Sequence, residues 1–222
     1  MPTQTFLNLP PEKRATLVSI ALDEFAAHDY QSASISRILA QAGIAKGSLY
    51  QYFSDKRDFY HHVVAVASDT LTTALQDDLP PDGPQTLFQV LRWQMRATVR
   101  AALRHPRESQ LLRRAYGASG PQDPVLTSQA QLSRTSYLTP LIQQAIARGE
   151  IAADLDSELV LYVISSLIAD LGTLISAKLG LNQEQAISGD LDLFASPVVD
   201  QIYDTLIRIL DHGLAAAPAP QE

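Results

Sequence analysis

The sequence predicts an all-α protein with a small helical domain at its N-terminus and a larger helical bundle after it. Apolar residues recur at spacings of three and four through most of the chain, which places them on one face of a helix. Serine, proline and glycine stand where these segments begin and end. Alternation at the two-residue period of a strand does not persist over any long stretch. The 222 residues are enough for one small and one larger domain.

Three short helical segments fill the first part of the chain. Pro11 suits a first helical turn, and apolar residues follow it at helical spacing, at Leu17, Ala21, Leu22 and Phe25. A second helix is predicted over 34–41 with Ser34 as its N-cap, and a third over 45–53, separated by a turn at Gly43. A helix, a glycine turn and a short donor-rich helix form the layout of a helix-turn-helix, whose second helix enters the major groove of DNA.

The third segment carries side chains with the chemistry of DNA recognition. Lys46 can neutralise a phosphate, and the hydroxyls of Ser48, Tyr50 and Tyr52 can donate to phosphate oxygens. Gln51 can make a bidentate contact to an adenine edge. Two apolar residues four positions apart share the opposite face and can pack inward, Leu49 and Phe53. The alternative is a surface helix whose tyrosines merely cap a small core.

Residues 11 to 60 resemble the DNA-binding region of TetR-family transcriptional regulators. The resemblance is carried by Ile38, Ala42-Gly43-Ile44, Lys46-Gly47-Ser48-Leu49-Tyr50, Tyr52-Phe53 and Lys56. It implies that Ser48, Tyr50 and Lys56 hold phosphates, and that Lys46, Gln51 and Tyr52 face the groove. In the helix before the turn, Ser34 and Ser36 stand where the family often contacts DNA. The DNA-binding residues implied in this way are Ser34, Ser36, Lys46, Gly47, Ser48, Tyr50, Gln51, Tyr52 and Lys56.

The rest of the chain is predicted to form a second domain. A fourth helix over 55–77 comes after Ser54 and connects the DNA-binding domain, residues 1–60, to the remainder of the chain. The proline-rich stretch at 79–84 breaks the helical pattern, so residues 79–222 are expected to form a ligand-binding and dimerisation domain. Its helices are predicted at 85–104, 107–117, 124–148, 156–179 and 197–212, and the tail from Ala215 is predicted to be disordered.

The last two long helices are the predicted dimer interface. The helix at 156–179 is apolar on most sides, and a helix of this kind must be covered. A line of short side chains along it permits close helix contact, at Ser166, Ala169, Thr173 and Ser176. The final helix contributes Val199, Ile202 and Leu206. The resemblance implies that these helices pair in a four-helix interface of a homodimer; the alternative is the core of a monomer.

A stripe of arginines marks a candidate ligand site. Arginine recurs every fourth residue in the helix at 85–104, and Trp93 lies at the edge of the stripe, beside Arg96 and Arg100. Guanidinium groups beside an indole suit an anionic or flat aromatic ligand. The alternative is a solvated face that pairs with nearby acids. Further candidate lining residues, or else core residues, are Tyr116, Tyr137 and Tyr162. Pro140 either bends the helix at 124–148 or begins a new one.

The composition of the chain excludes several classes of function. The formal net charge of −7 argues against a general polyanion binder, and the first 60 residues hold six cations and six acids. The absence of cysteine excludes disulfides and thiolate sites. The five histidines lack metal-ligand spacing, and we find no phosphate-binding loop or catalytic motif, so no cofactor, no metal and no catalytic residue is predicted. We expect neither a membrane span nor a signal peptide, hence a cytoplasmic location.

The sequence therefore predicts a DNA-binding transcriptional regulator. The resemblance implies a repressor that binds a palindromic operator in double-stranded DNA as a homodimer and is released by a small-molecule inducer. Two alternatives remain open. One is a helical-bundle enzyme with a DNA-binding head, and the other is a constitutive DNA-binding adaptor without an inducer.

Overall fold

A computed structural model describes residues 2–78, 85–117, 121, 123–180 and 196–214. None of these residues lies in a β-strand, and the all-α prediction is confirmed. The helices are α1 (Gln4–Leu7), α2 (Pro11–Ala27), α3 (Ile35–Gln41), α4 (Leu49–Tyr52), α5 (Lys56–Gln76), α6 (Leu87–Arg104), α7 (Pro106–Tyr116), α8 (Pro124–Ala147), α9 (Ser157–Lys178) and α10 (Pro197–Leu214). A 3₁₀ turn, Lys46–Ser48, precedes α4. The predicted domain boundary at 79–84 and the predicted disordered tail lie outside the described residues.

The long helices match the sequence prediction closely. Helix α1 was not predicted; Thr3 caps it by accepting a hydrogen bond from the amide of Phe6. Helix α8 runs unbroken through Pro140, so the alternative that this proline begins a new helix is wrong. An interior proline removes one hydrogen bond of the helical series and crowds the carbonyl four residues back.

One compact unit comprises the residues up to Ala74 together with His105–Ser128. Its core is a cluster of aromatic rings from α2, α5 and the end of α4, in which Phe25, Phe53 and Phe59 are fully buried. The ring centroids of Phe53 and Phe59 are 4.6 Å apart, and those of Phe25 and Tyr60 are 4.9 Å apart. Helix α7 closes this core with two buried side chains, Leu111 and Ala115.

The second compact unit comprises Leu75–Arg104 and the residues from Gln129 onward. Its core forms between α6, α8, α9 and α10, with one apolar face of each helix turned inward. The fully buried residues include Leu91, Met95, Ile142, Ile164 and Ile175. This unit is a helical bundle, as predicted. The functional division of the chain at residue 79 stays a prediction.

Helix α9 is strongly apolar. It has 22 residues, and its most apolar 18-residue stretch reaches a mean hydropathy of 1.9, so by length and composition it could cross a membrane. A search for uninterrupted apolar runs misses it, because α9 contains serines, a threonine and Asp170 among its apolar residues. Only 28 % of its most apolar stretch is buried within the chain. The helix therefore carries apolar surface that the described residues of this unit do not cover.

Candidate nucleic-acid interface

The turn between α3 and the next segment has the geometry of a glycine-terminated helix. Gly43 adopts a φ of 66°, in the left-handed region that favours glycine. The amide of Ile44 donates to the carbonyl of Leu39 at 2.9 Å, and that of Gly43 donates to Ala40 at 3.2 Å. These bonds satisfy carbonyls at the end of α3 and turn the chain sharply. The helix-turn-helix layout predicted from the sequence therefore has its turn at the predicted residue.

A buried carboxylate fixes the start of α3. Oε1 of Glu24 accepts hydrogen bonds from the amide of Ser34 at 2.7 Å and from Arg37 at 2.8 Å. Burial raises the pKa of Glu24, but the bonds from Ser34 and Arg37 outweigh it and hold that pKa below its ordinary value. The Ser34 hydroxyl accepts from the amide of Arg37 at 3.3 Å and so caps α3. Ser36 is exposed on the first turn of α3. The contact of both serines with DNA stays a prediction.

The recognition segment, Ala45–Phe53, is less regular than the sequence predicted. In place of one helix it forms the 3₁₀ turn and then the single α-turn of α4. The backbone is extended at both ends, with ψ of 141° at Ala45 and 148° at Phe53, so the helical part spans only the residues between. Seven residues leave room for about two turns, and a short helix accommodates 3₁₀ geometry readily.

This segment turns its apolar residues inward and its polar residues outward. Leu49 and Phe53 are buried, as their spacing predicted. Tyr50 is 71 % exposed, and Gln51 beside it is also exposed. Ser48 is half-buried. The alternative in which the tyrosines only cap a core therefore fails for Tyr50, whose ring lies in solvent.

Tyr52 and Lys56 have partners within the chain that the sequence did not predict. Tyr52 is half-buried, with its ring centroid 6.1 Å from that of Phe6 in an edge-to-face contact. Nζ of Lys56 donates to the carbonyl of Ala33 at 2.7 Å and lies 4.8 Å from the centre of the Tyr30 ring. Burial lowers the pKa of Lys56, partly offset by the charge of Glu24. Their contacts with groove and phosphate stay predictions.

The two glycines of the motif differ in what requires them. Gly43 needs glycine for its left-handed conformation. Among the described residues, no atom lies within 4 Å of the position that a Cβ would take at Gly47. Packing among the described residues therefore does not require glycine there, and the place of Gly47 against DNA stays a prediction. The side chain of Lys46 lies outside the described part of the chain.

The dimer residues predicted from the sequence are only partly exposed. Val199 is fully buried in the core of the second unit, so its assignment to an interface is wrong. Ile202 and Leu206 are half-buried against the same core. Ala169 and Thr173 are exposed, whereas Ser166 and Ser176 are half-buried. The large apolar side chains that lie exposed on these helices are Leu159, Tyr162, Val163 and Leu174 on α9, and Val198 and Ile209 on α10. Helical spacing predicted which positions are apolar. It could not distinguish the positions that pack in the core of one chain from those that remain exposed.

The arginine stripe on α6 follows the alternative interpretation. Arg92 donates to Asp204 at 2.6 Å, and Arg96 lies 3.6 Å from Asp200. Arg100 and Asp78 form a further ion pair, with a distance of 3.0 Å. The partners come from distant positions in the sequence, so spacing along α6 could not reveal them. Arg92, Arg96 and Arg100 therefore form a charged face paired with acids, and their contact with a ligand stays a prediction.

The aromatic residues predicted for a ligand site are all at least partly exposed. Trp93 is half-buried, and its Nε1 has no hydrogen-bond partner among the described residues. Tyr116, Tyr137 and Tyr162 are exposed by 37 %, 42 % and 68 %. Their contact with a ligand stays a prediction. The hydroxyl of Tyr116 lies 3.4 Å from Ser68 in the first unit.

Sequence reasoning missed an ion-pair cluster in the first unit. The buried carboxylate of Asp123 accepts hydrogen bonds from Arg57 at 2.7 and 3.0 Å and from the amide of Val125 at 2.9 Å. Nε2 of His61 lies 2.7 Å from the same carboxylate. A cleft of about 220 Å³ adjoins the cluster and is lined by Tyr30, Arg57, Tyr60, Pro121, Asp123 and Pro124. The Asp123-Pro124 pair, an N-cap and then a first-turn proline, was the available signal.

Comparison with known proteins agrees with this geometry. The model of the bacterial regulatory proteins of the tetR family matches residues 17–63, which run from within α2 into α5. A crystal structure of a TetR family transcriptional regulator from Chloroflexus aurantiacus J-10-fl is 33 % identical, covers 98 % of this chain and 100 % of its own, and superposes with a TM-score of 0.80. The chain belongs to the TetR family.

Two further solved structures share the fold of this TetR-family protein. A putative tetR family transcription regulator from Shewanella sp. PV-4 is 19 % identical over 92 % of this chain and 99 % of its own, with a TM-score of 0.69. A gamma-butyrolactone receptor, described as ArpA-like, is 23 % identical over 91 % of this chain and 97 % of its own, with a TM-score of 0.56. No curated protein matches the chain at a significant level.

Membership of the TetR family fixes the general activity. The protein is a DNA-binding transcriptional regulator and not an enzyme. The family match includes the whole recognition segment and its glycine turn. The exposed edge formed by Tyr50 and Gln51 is therefore the candidate DNA-contacting surface of this TetR-family regulator.

Replacing Asp123 with asparagine should lower the free energy of unfolding of this TetR-family protein. It should also make that free energy depend less on pH in the acid range. The hydrogen bond from Arg57, opposed by burial and reinforced by His61, holds the pKa of Asp123 far below its ordinary value of 3.8. A depressed carboxyl pKa stabilises the fold above pH 3.8, and this stabilisation is lost as the pH falls through the folded-state pKa. We expect the substitution to cost about 1–3 kcal/mol at pH 7.

Urea unfolding followed by circular dichroism between pH 7 and pH 2 measures this loss. Asp69→Asn is the matched control, because Asp69 is an exposed residue of α5. The control should unfold like the wild type at every pH. Equal stability of Asp123→Asn and wild type at pH 7 would contradict a stabilising role for the Asp123 cluster.

Proposed function

We propose that this TetR-family regulator is a cytoplasmic, dimeric repressor that binds a palindromic operator in double-stranded DNA and is released by a small-molecule inducer. The observation that carries the proposal is the recognition segment. Its buried Leu49 and Phe53 hold Tyr50 and Gln51 out into solvent, one turn beyond the glycine that orients the segment. A short helix presented in this way suits insertion into the major groove.

The exposed phenol and amide have separate tasks in the proposed complex. Tyr50 donates its hydroxyl to a phosphate oxygen, which positions the protein without reading sequence. Gln51 makes paired hydrogen bonds to a base edge, which reads sequence. The adjacent Gly47 leaves open space for the DNA backbone to approach. Affinity should therefore fall steeply with salt, whereas sequence preference should depend on Gln51.

The uncovered apolar face of α9 and α10 supports the homodimer. On α9, Leu159, Tyr162, Val163 and Leu174 recur at spacings that place them along one side of the helix. Ala169 and Thr173 are exposed along the same side and are short enough for close helix contact. Val198 and Ile209 extend the apolar surface on α10. A two-fold dimer through these helices presents two recognition segments to the two halves of a palindrome.

The surroundings of helix α6 favour an uncharged inducer over an anionic one. The guanidinium groups of Arg92, Arg96 and Arg100 are paired with acids of the same unit, which disfavours an anion there. Nε1 of Trp93 and Oε1 of Gln94 are buried and have no hydrogen-bond partner within the described ranges. A neutral ligand that offers one acceptor and one donor would satisfy both atoms. The similar gamma-butyrolactone receptor is named for a small-molecule ligand.

Induction then follows from a difference in affinity. The proposed dimer has one arrangement that matches the half-site spacing of the operator and another that does not. An inducer that binds the second arrangement more tightly shifts the population away from DNA, and only by that difference in affinity. The pairing of these arginines with acids also favours a second candidate, a constitutive adaptor without an inducer. The arginine stripe was the strongest argument from the sequence for a ligand, and the ion pairs weaken that argument.

A gel-shift titration with the DNA upstream of the protein's own gene tests the proposal. The expected result is a discrete complex with this fragment and none with a scrambled fragment of equal length. The complex should dissociate as the salt concentration rises. Addition of a compound that raises the melting temperature in a thermal-shift screen should then release the DNA. Binding that no stabilising compound or cell extract reverses would favour the constitutive adaptor. Equal affinity for both fragments would contradict sequence-specific repression.

A further inference from the structure

The unpredicted helix α1 contacts the recognition segment directly. The amide of Thr3 donates to the carbonyl of Tyr52 at 2.9 Å, and its hydroxyl donates to the carbonyl of Gln51 at 2.6 Å. The same hydroxyl accepts from the amide of Phe6 at 3.4 Å. One residue near the N-terminus thus holds two consecutive carbonyls of α4 while it caps α1.

These two carbonyls are ones that a short helix cannot satisfy by itself. The last carbonyls of any helix have no partner within it, and α4 has a single turn. The helical bond from Phe53 to Leu49, at 2.8 Å, uses the first carbonyl of α4. A helix of this length is not stable alone, so its geometry depends on contacts outside it. Thr3 supplies such a contact at the residue whose side chain is proposed to read bases.

Aromatic packing anchors the clamp to the core. The Phe6 side chain is 2 % exposed. Its ring centroid lies 4.9 Å from that of Phe53 and 5.2 Å from that of His62 on α5. Burial lowers the pKa of His62, which favours the neutral form of the ring that packs on Phe6. The position of Thr3 is therefore fixed by a buried side chain three residues away rather than by the flexible end of a chain.

We propose that the N-terminal segment Thr3–Phe6 is a clamp that positions the recognition segment, with Thr3 as a specificity-determining positioning residue for operator binding. The hydroxyl of Thr3 holds the backbone of Gln51, and this fixes where the Gln51 side chain meets a base edge. The inference rests on the proposed role of that segment in DNA recognition. It assigns the clamp no contact with DNA.

Substitution of the Thr3 hydroxyl tests its positioning role. Thr3→Val keeps the size of the side chain and the backbone bond to Tyr52, but it removes both bonds of the hydroxyl, the one to Gln51 and the one from the amide of Phe6. We expect a roughly tenfold loss of operator affinity, the lower part of the range for one misplaced bidentate base contact. Affinity for scrambled DNA should not change, because phosphate contacts supply non-specific binding. Thr3→Ser keeps the hydroxyl and should restore wild-type affinity.

Thr16→Val is the matched control for this series. The Thr16 hydroxyl donates to the carbonyl of Glu12 within α2, at 2.8 Å, so the same chemical change is made away from the recognition segment. This variant should bind operator like the wild type. Wild-type operator affinity in Thr3→Val would overturn the clamp. Equal loss on operator and scrambled DNA would also overturn it, because the hydroxyl would then serve only general stability.

Hydrogen exchange without DNA tests the clamp independently of the proposed function. Amides of the recognition segment should exchange about tenfold faster in Thr3→Val and at the wild-type rate in Thr3→Ser, since a local contact sets local opening. Removal of residues 2–8 should accelerate them further. Unchanged exchange in both Thr3→Val and the truncated chain would overturn the clamp. If the wild type does not prefer operator over scrambled DNA, the proposed repressor function is contradicted. The exchange rates still test the clamp in that case, because they are measured without DNA.

Discussion

Replacing Ile209 with aspartate should convert the proposed dimer into a monomer and abolish operator binding at concentrations where the wild type is saturated. Ile209 is 60 % exposed on α10, amid apolar surface that the described part of the chain leaves uncovered. A two-fold interface would contain the substitution twice, and each unpaired carboxylate would have to be dehydrated. We expect the dimer dissociation constant to rise by about a thousandfold or more.

Sedimentation velocity over a range of protein concentrations measures this change. Leu132→Asp is the matched control, because Leu132 is 67 % exposed on α8 and lies outside the proposed interface. The control should sediment as a dimer and bind operator normally, which would show that a new surface carboxylate is tolerated. A dimer that persists in Ile209→Asp would place the interface elsewhere on the protein.

Substitutions at Gln51 and Tyr50 should produce two different losses of DNA binding. Gln51→Ala should lower operator affinity by about 1–3 kcal/mol while leaving the affinity for scrambled DNA unchanged, because the amide reads a base. Tyr50→Phe removes only the hydroxyl and should weaken both DNAs by a similar factor, because a phosphate contact is independent of sequence. Fluorescence anisotropy titrations with the two fragments at fixed salt give both affinities.

The control for these titrations is Gln143→Ala, an exposed glutamine of α8 in the other unit. It should match the wild type on both fragments. The assignment of Gln51 as the base-reading residue would be wrong if Gln51→Ala kept both its affinity and its preference. A change of sequence preference in Tyr50→Phe would likewise move that role from the amide to the phenol.

The sequence predicted those parts of the fold that depend on local chemistry. Helix caps act within four residues of the chain, so Ser34, the turn at Gly43 and the first-turn prolines placed the helix ends well. The motif also gave the inward face of the recognition segment, because residues four apart share one side of a helix. The division of that segment into a 3₁₀ turn and an α-turn was missed, since a motif does not determine the hydrogen-bond pattern of so short a stretch.

Features that depend on distant partners could not be predicted in this way. The acids that pair with the arginines of α6 come from Asp78, Asp200 and Asp204, far away in the sequence. Val199 and Ile209 both have the apolar character expected of α10, yet one is fully buried and the other exposed. Helical periodicity shows that α10 has apolar positions on more than one side. Only packing shows which side the chain covers itself.

The helix that holds Thr3 and Phe6 was missed for the same reason. Four residues are too few to display a helical period, and the partners of this segment lie about fifty positions later, at Gln51, Tyr52 and Phe53. A lone apolar residue close to a terminus is usually unremarkable. Its burial in the aromatic core is a consequence of tertiary structure.

The stoichiometry of the complex with the upstream operator fragment tests the central claim most directly. Sedimentation equilibrium of the purified protein with a labelled fragment should show two chains on each palindrome, with an affinity that falls steeply as salt rises. A protein that remains a single chain and has no salt-sensitive affinity for its own upstream DNA would contradict the account.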